Sequence, residues 1–155
     1  MNQKNLVKVE KVLLGAFAVG LLLQFFAGNR GRGILAISLF CLSMLYFGFS
    51  GILFRNEKTA QPPWMLIILS GILFSIGITG IMFGLLHFGG AGLFLLFSGT
   101  TITSFLVPYL FYKKYQDNIP YKFYYNSLLA RAIPIGILCI LIYALIFMGI
   151  IPTQI

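Results

Sequence analysis

Phe83-Gly84-Leu85-Leu86-His87-Phe88-Gly89-Gly90-Ala91-Gly92 is the stretch on which the fold of this chain turns. It holds the only histidine and the densest glycine cluster, and a long apolar run lies on either side. Glycines grouped between two apolar runs read as a reversal of the chain. Upstream, one run starts at Trp64, just after Pro62-Pro63, and continues to about Leu86. Downstream, the other goes from about Leu93 to Tyr112. A crossing of the hydrocarbon core takes about 20 helical residues, which both runs supply.

The same pattern occurs earlier in the chain. Val12 to Ala27 and Ile34 to Phe54 flank a second glycine-rich turn. A shift of 60 residues aligns Gly20 with Gly80, Leu35 with Leu95 and Ser38 with Ser98, which reads as an internal repeat of two hairpins. A last apolar run extends from about Ala132 to Ile151. All five runs are continuous rather than alternating, and lipid cannot satisfy an open sheet edge, so each reads as a helix. Pro134 is placed in the first turn of the last helix, where a missing N–H is tolerated. Pro108 falls inside the fourth and is expected to kink or loosen its last turn.

Composition agrees. The chain is 59% hydrophobic and 9% charged, against about 25% charged in soluble domains. The net charge of +8 lies outside the apolar cores, as orientation signals do in membrane proteins. With the N-terminus inside, Lys4, Lys8, Lys11, Arg55, Lys58, Lys113, Lys114, Lys122 and Arg131 are cytoplasmic, and only Arg30 and Arg32 are outside. No polar stretch is long enough to build a basic face for nucleic acid. Lys4, Lys8 and Lys11 before an apolar run resemble a signal peptide, but no small-residue cleavage site follows, so an uncleaved first span is expected. Cys41 and Cys139 fall inside spans as small apolar residues.

Four groups of residues are candidates for a role. Gly71, Ser75 and Thr79, with Gly80 and Gly84, place a small-residue face on the third helix. It suits close packing against neighbouring helices or against a partner. His87, Gly89 and Gly90 form the turn, with the imidazole expected to hydrogen-bond it. Ser98, Thr101 and Ser104 are the most polar stretch at membrane depth and would line any solute path. Lys113, Lys114, Lys122 and Arg131, among many aromatics between residues 113 and 131, read as an interfacial loop touching anionic headgroups. The acids Glu10, Glu57 and Asp117 are assigned to cytoplasmic flanks, which leaves no ionisable group inside a span to couple ion flow. One histidine without carboxylate or thiol neighbours does not make a metal site. No acid–base pair is in reach for catalysis. Neither a cofactor nor a catalytic set is expected.

Phe83, Leu85, Leu86, His87, Gly90 and Ala91 match a hairpin motif close to F-K-[IL]-[ML]-H-W-P-G-A. The stretch thereby resembles the GldL-like membrane hairpin of the Bacteroidota gliding-motility and type 9 secretion motor. Gly84 stands for its lysine, Phe88 for its tryptophan and Gly89 for its proline. The resemblance implies a bacterial inner-membrane hairpin that packs against other helices. It does not carry the motor activity over, because the acidic residue that the motor's helices hold at depth has no counterpart in the expected spans.

The reading is therefore an all-α integral membrane protein forming one transmembrane domain over residues 1–155. Its five spans comprise hairpins at about 12–54 and 64–112 and a helix at about 132–151, N-in and C-out. The expected function is non-enzymatic, as an accessory or scaffolding subunit of an inner-membrane complex in contact with membrane lipids and other integral membrane proteins. The alternative is a channel or transporter for a small or lipidic solute, lined by Ser98, Thr101 and Ser104.

Overall fold

The computed structural model describes residues 3–27, 31–54, 64–116 and 119–151, and every regular element in them is helical. The helices are α1 (Gln3–Ala27), α2 (Arg32–Leu53), α3 (Trp64–Leu85), α4 (Ala91–Thr101), α5 (Val107–Gln116) and α6 (Ile119–Phe147). A π-helical turn, Ile102–Leu106, joins α4 to α5 without a break. Among the described residues four helical stretches are long and apolar enough to cross a membrane: Arg32–Leu53, Trp64–Leu85, Ala91–Gln116 and Tyr124–Phe147. α1 packs along α2 as a fifth long helix whose first third carries Lys4, Lys8, Glu10 and Lys11. Arg30, Arg55, Glu57, Lys58 and Asp117 lie outside the described residues.

Side-chain pairs show that successive helices run antiparallel. Gly20 faces Leu35, Ser43 faces Ser75, Gly80 faces Leu95 and Gly99 faces Cys139. α3 sits at the centre, against α2, α4 and α6. Its Phe74 and Ile78 are fully buried, as are Leu35, Leu95, Leu128 and Cys139 from its neighbours. The end of the bundle at which α1, α3 and α6 begin is called the base here, and the other the turn end.

Three boundaries extend beyond the sequence reading, while α6 ends at Phe147, short of the expected Ile151. α1 begins at Gln3 rather than Val12, and α6 at Ile119 rather than Ala132. Residues 113–116 and 119–131 of the expected interfacial loop are instead the end of α5 and the first turns of α6, and Pro134 lies inside α6 instead of in its first turn. The cause is common to all three. A helix satisfies its own backbone bonds in any medium, so it continues past the point where its side chains stop being apolar.

Pro108 acts as expected, one turn earlier than expected. Proline cannot donate and its ring crowds the carbonyl four residues back. The widened turn over Ile102–Leu106 absorbs that strain, with the Val107 N–H donating to Ile102 O in an i→i+5 bond.

Candidate functional site

Leu6, Glu10, Leu13, Phe17, Leu21 and Gln24 recur at three- and four-residue spacing along α1. Glu10 therefore sits on the stripe that turns toward the bundle, while Lys8 and Lys11 point away, and only 4% of Glu10 is exposed. Its carboxylate meets Arg131 from α6, across 121 residues of chain. The guanidinium clamps it with two parallel bonds, Nε to Oε1 at 2.6 Å and Nη2 to Oε2 at 2.7 Å. Nη1 of Arg131 donates to the Ser127 carbonyl at 2.9 Å and to its hydroxyl at 2.6 Å. Four of the five guanidinium N–H groups are thus engaged. Tyr46 on α2 completes the site by donating its hydroxyl to Glu10 Oε1.

Aromatic rings wall this cluster. Tyr46 stacks on Phe54 with centroids 6.0 Å apart and meets Phe74 edge-on at 5.6 Å. Phe54 meets Phe74 edge-on as well, and the Arg131 guanidinium lies 5.5 Å above the Phe54 ring centre. A bidentate pair in such surroundings is strong because water competes little for either charge. One negative charge faces one positive charge, so the cluster is neutral and every carboxylate oxygen has a donor. Chemically it is a lock. It ties α1 and α2 to α6, and it leaves a single guanidinium N–H uncommitted.

This overturns two expectations. Glu10 and Arg131 are not separate surface groups; they pair inside the bundle, in helices that begin earlier than the apolar runs suggest. The sequence does carry a signal for Glu10. It is the one acid in phase with the apolar stripe of α1, and that phase was legible once the helix was extended back to Gln3. Nothing local marks Arg131 or Tyr46 as its partners.

α1 is held at both ends too. Gln3 Nε2 donates to Leu53 O at 3.3 Å at the base, and Gln24 Nε2 donates to Leu85 O at 3.3 Å at the turn end. Both acceptors are last-turn carbonyls, which have no partner within their own helices.

The small-residue face of α3 is used within the chain. A Cβ on Gly71 would stand 2.5 Å from Ser50 Cβ and 2.7 Å from the Tyr46 carbonyl. Ser75 and Thr79 share the Ser43 hydroxyl at 2.8 and 3.0 Å. Gly80 admits Leu95 of α4, and Gly84 admits Ile142 of α6 at 2.7 Å.

His87 occupies the left-handed region, with φ of 63°. Its N–H donates to Gly84 O at 3.2 Å, and the Phe88 N–H donates to Phe83 O at 2.8 Å. That is the glycine-type helix ending, sealed by the Phe83 and Phe88 rings at 5.7 Å, with histidine where glycine is usual. The expected imidazole bond to the turn is not made by Nδ1, which is buried without a partner. The backbone closes the turn instead, and Gly90, with φ of 79°, starts α4, while Gly89 is exposed between them.

The hydroxyls proposed as a lining do not share a face. Ser98 is sealed between α3 and α6, bonding to Phe94 O at 2.6 Å. Thr101 bonds back to Phe97 O at 2.7 Å, and Ser104 is exposed on the outside. Thr100 and Thr103 likewise bond to carbonyls four residues earlier. This is the local way for hydroxyls to be satisfied in a helix. Lys113 and Lys114 are half-buried in the last turn of α5, and Lys122 is exposed near the start of α6. Among the described residues no three of His, Cys, Asp and Glu come together as metal ligands.

No protein-family model, curated protein or solved structure matches this chain.

Proposed function

We propose that the chain is a five-span bacterial inner-membrane protein, N-terminus in the cytoplasm, that serves as a non-enzymatic accessory or scaffolding subunit of a larger membrane complex. The observation that carries this reading is the Glu10–Arg131–Tyr46 lock. An ionisable pair buried among helices is costly to desolvate, and it holds only when both partners are met. Here both charges, and nearly all their hydrogen-bonding capacity, are committed to holding three helices in a fixed arrangement. The hydroxyls of α4 are likewise turned to their own backbone.

One surface available to partners is the outward face of α1 and α2, where Val12, Phe26, Ile37, Phe40 and Phe47 are exposed. The GldL-like hairpin and the charge bias motivate the bacterial and N-in assignments. On that orientation the base faces the cytoplasm, and Lys113, Lys114 and Lys122 meet anionic headgroups. The two hairpins are read as copies. Gly20 lies 3.0 Å from Leu35 N and Gly80 lies 3.1 Å from Leu95 N, measured from an ideal Cβ, so the same close approach recurs at equivalent positions.

Purification of the tagged protein from its own membranes in mild detergent, with mass spectrometry of co-eluting chains, tests the reading. A stoichiometric set of other integral membrane proteins supports it, and a homogeneous single species sinks it. The channel alternative, which needs Ser98, Thr101 and Ser104 to reach water together, draws no support from their separate faces.

A further inference from the structure

Hairpin α1–α2 is closed at the base, whereas the hairpin of α3 with α4 and α5 is open there. α4 packs on α3, but the π-helical turn and α5 pack on α6 instead. The gap left beside α3 is a groove of about 500 Å³, with Met65, Leu69 and Leu73 on one wall and Thr101, Phe105 and Tyr109 on the other. We propose that this groove is a binding site for one acyl chain of an anionic glycerophospholipid. The assignment rests on the membrane-spanning, base-inward orientation proposed above.

Three observations select that occupant. First, the walls are almost wholly apolar: the Thr101 hydroxyl already donates to Phe97 O at 2.7 Å, and the Tyr109 hydroxyl is the one other side-chain polar group, so little asks for a polar solute. Second, the groove is shallow in the right way. From Met65 to Leu73 is about 12 Å of helix, close to the ~15 Å of one leaflet's hydrocarbon. Beyond Leu73 it is shut, because an ideal Cβ on Gly77 comes within 3.4 Å of the Ser98 hydroxyl and one on Gly80 within 3.1 Å of Leu95 N. A partner's transmembrane helix would need a cleft through both leaflets. Third, the mouth suits an anionic headgroup. Trp64, exposed, opens α3 on one side, and Lys113 and Lys114 lie one turn beyond Tyr109 on the other. Pro108 is the origin of the site, since the turn it widens steers α5 away from α3.

The test uses the full chain in vesicles of phosphatidylcholine containing one phospholipid with a photoreactive acyl chain, either phosphatidylglycerol or phosphatidylcholine. The expected result is labelling concentrated on residues 65–73 and 101–109, with phosphatidylglycerol favoured by roughly thirtyfold at most, as two nearby lysines imply. Leu69→Trp fills the groove from an exposed position and removes this labelling. Ile37→Trp, an equal change on the outer face of α2, leaves it intact. Replacing Lys113 and Lys114 by Gln abolishes the headgroup preference while acyl labelling of both segments persists. Labelling spread evenly over the outward faces of α1 and α2, or equal labelling by the two lipids, overturns the proposal. So does crosslinking of a photoreactive residue at Leu69 to another protein in native membranes. Release of the chain from vesicles by alkaline carbonate would instead sink the spanning reading itself.

Discussion

The two hairpins begin alike and end differently. At the turn end each brings a glycine onto a leucine backbone N–H, Gly20 on Leu35 and Gly80 on Leu95, with both leucines fully buried. At the base, α1 and α2 are joined by the Glu10–Tyr46 bond and by Gln3 on Leu53 O. The positions 60 residues on from Glu10 and Tyr46 are Ser70 and Leu106, which make no such bond, and Ser70 Oγ is buried without a partner. Pro108 then widens the turn beside Leu106 and the second hairpin splays. The lesson concerns polarity in a helical bundle. Hydroxyls crowded on one helix, as at Thr100, Thr101 and Thr103, are satisfied by their own backbone and fix nothing. A single carboxylate with no local partner has to be met from elsewhere, and so it decides which helices come together.

The largest expected effect comes from unlocking the first hairpin. Glu10→Gln leaves the Arg131 guanidinium without its counter-charge inside the bundle, and a loss of about 3–5 kcal/mol is expected in denaturant titration of the detergent-solubilised protein. Exchanging both partners for apolar side chains, Glu10→Leu with Arg131→Met, should restore most of it, because no charge is then stranded. A double variant as unstable as the single one would mean that the pair contributes more than mutual neutralisation. Arg131→Lys should fall between the two, since an ammonium keeps the counter-charge but cannot form the two parallel bonds.

A smaller effect tests whether the turn ends are equivalent. Gly20→Ala and Gly80→Ala each push a Cβ against a neighbouring backbone nitrogen at 3.0–3.1 Å. Each should cost about 1–2 kcal/mol by overpacking. Equal costs sharpen the comparison; a twofold or greater disparity breaks it. The smallest effect is a gain. His87→Gly removes the strain of a side-chain-bearing residue in the left-handed region, and melting should show about 0.5–1 kcal/mol of added stability. A loss instead would show that the imidazole has a packing role larger than that strain.

Much of the fold was legible because it depends on neighbours in sequence. The runs at 34–54 and 64–86 match α2 and α3 to within two residues, since continuous apolarity and flanking turn residues are local signals. The run at 93–112 is found as one stretch, Ala91–Gln116, irregular just before Pro108. The first and last helices were read too short for one reason: charged and polar residues were taken as helix ends, when they mark only where apolar side chains stop. Because of that shortening, Glu10 and Arg131 fell outside the expected spans and their pairing was invisible. The stripe Leu6–Glu10–Leu13–Phe17 on α1 was the one clue, and it is a clue to burial, not to a partner.

By itself, then, the sequence determined the class of the protein: a helical chain with several stretches long and apolar enough to cross a membrane, reversing at a glycine-rich turn that holds its single histidine. Backbone bonding between residues four apart and side-chain transfer energies are enough for that. Only the tertiary structure decided that Glu10 meets Arg131 across the whole chain, that the small face of α3 is occupied from within, and that α5 leaves α3. Those outcomes depend on how each helix is rotated against its neighbours, a property of packed surfaces that no single helix contains.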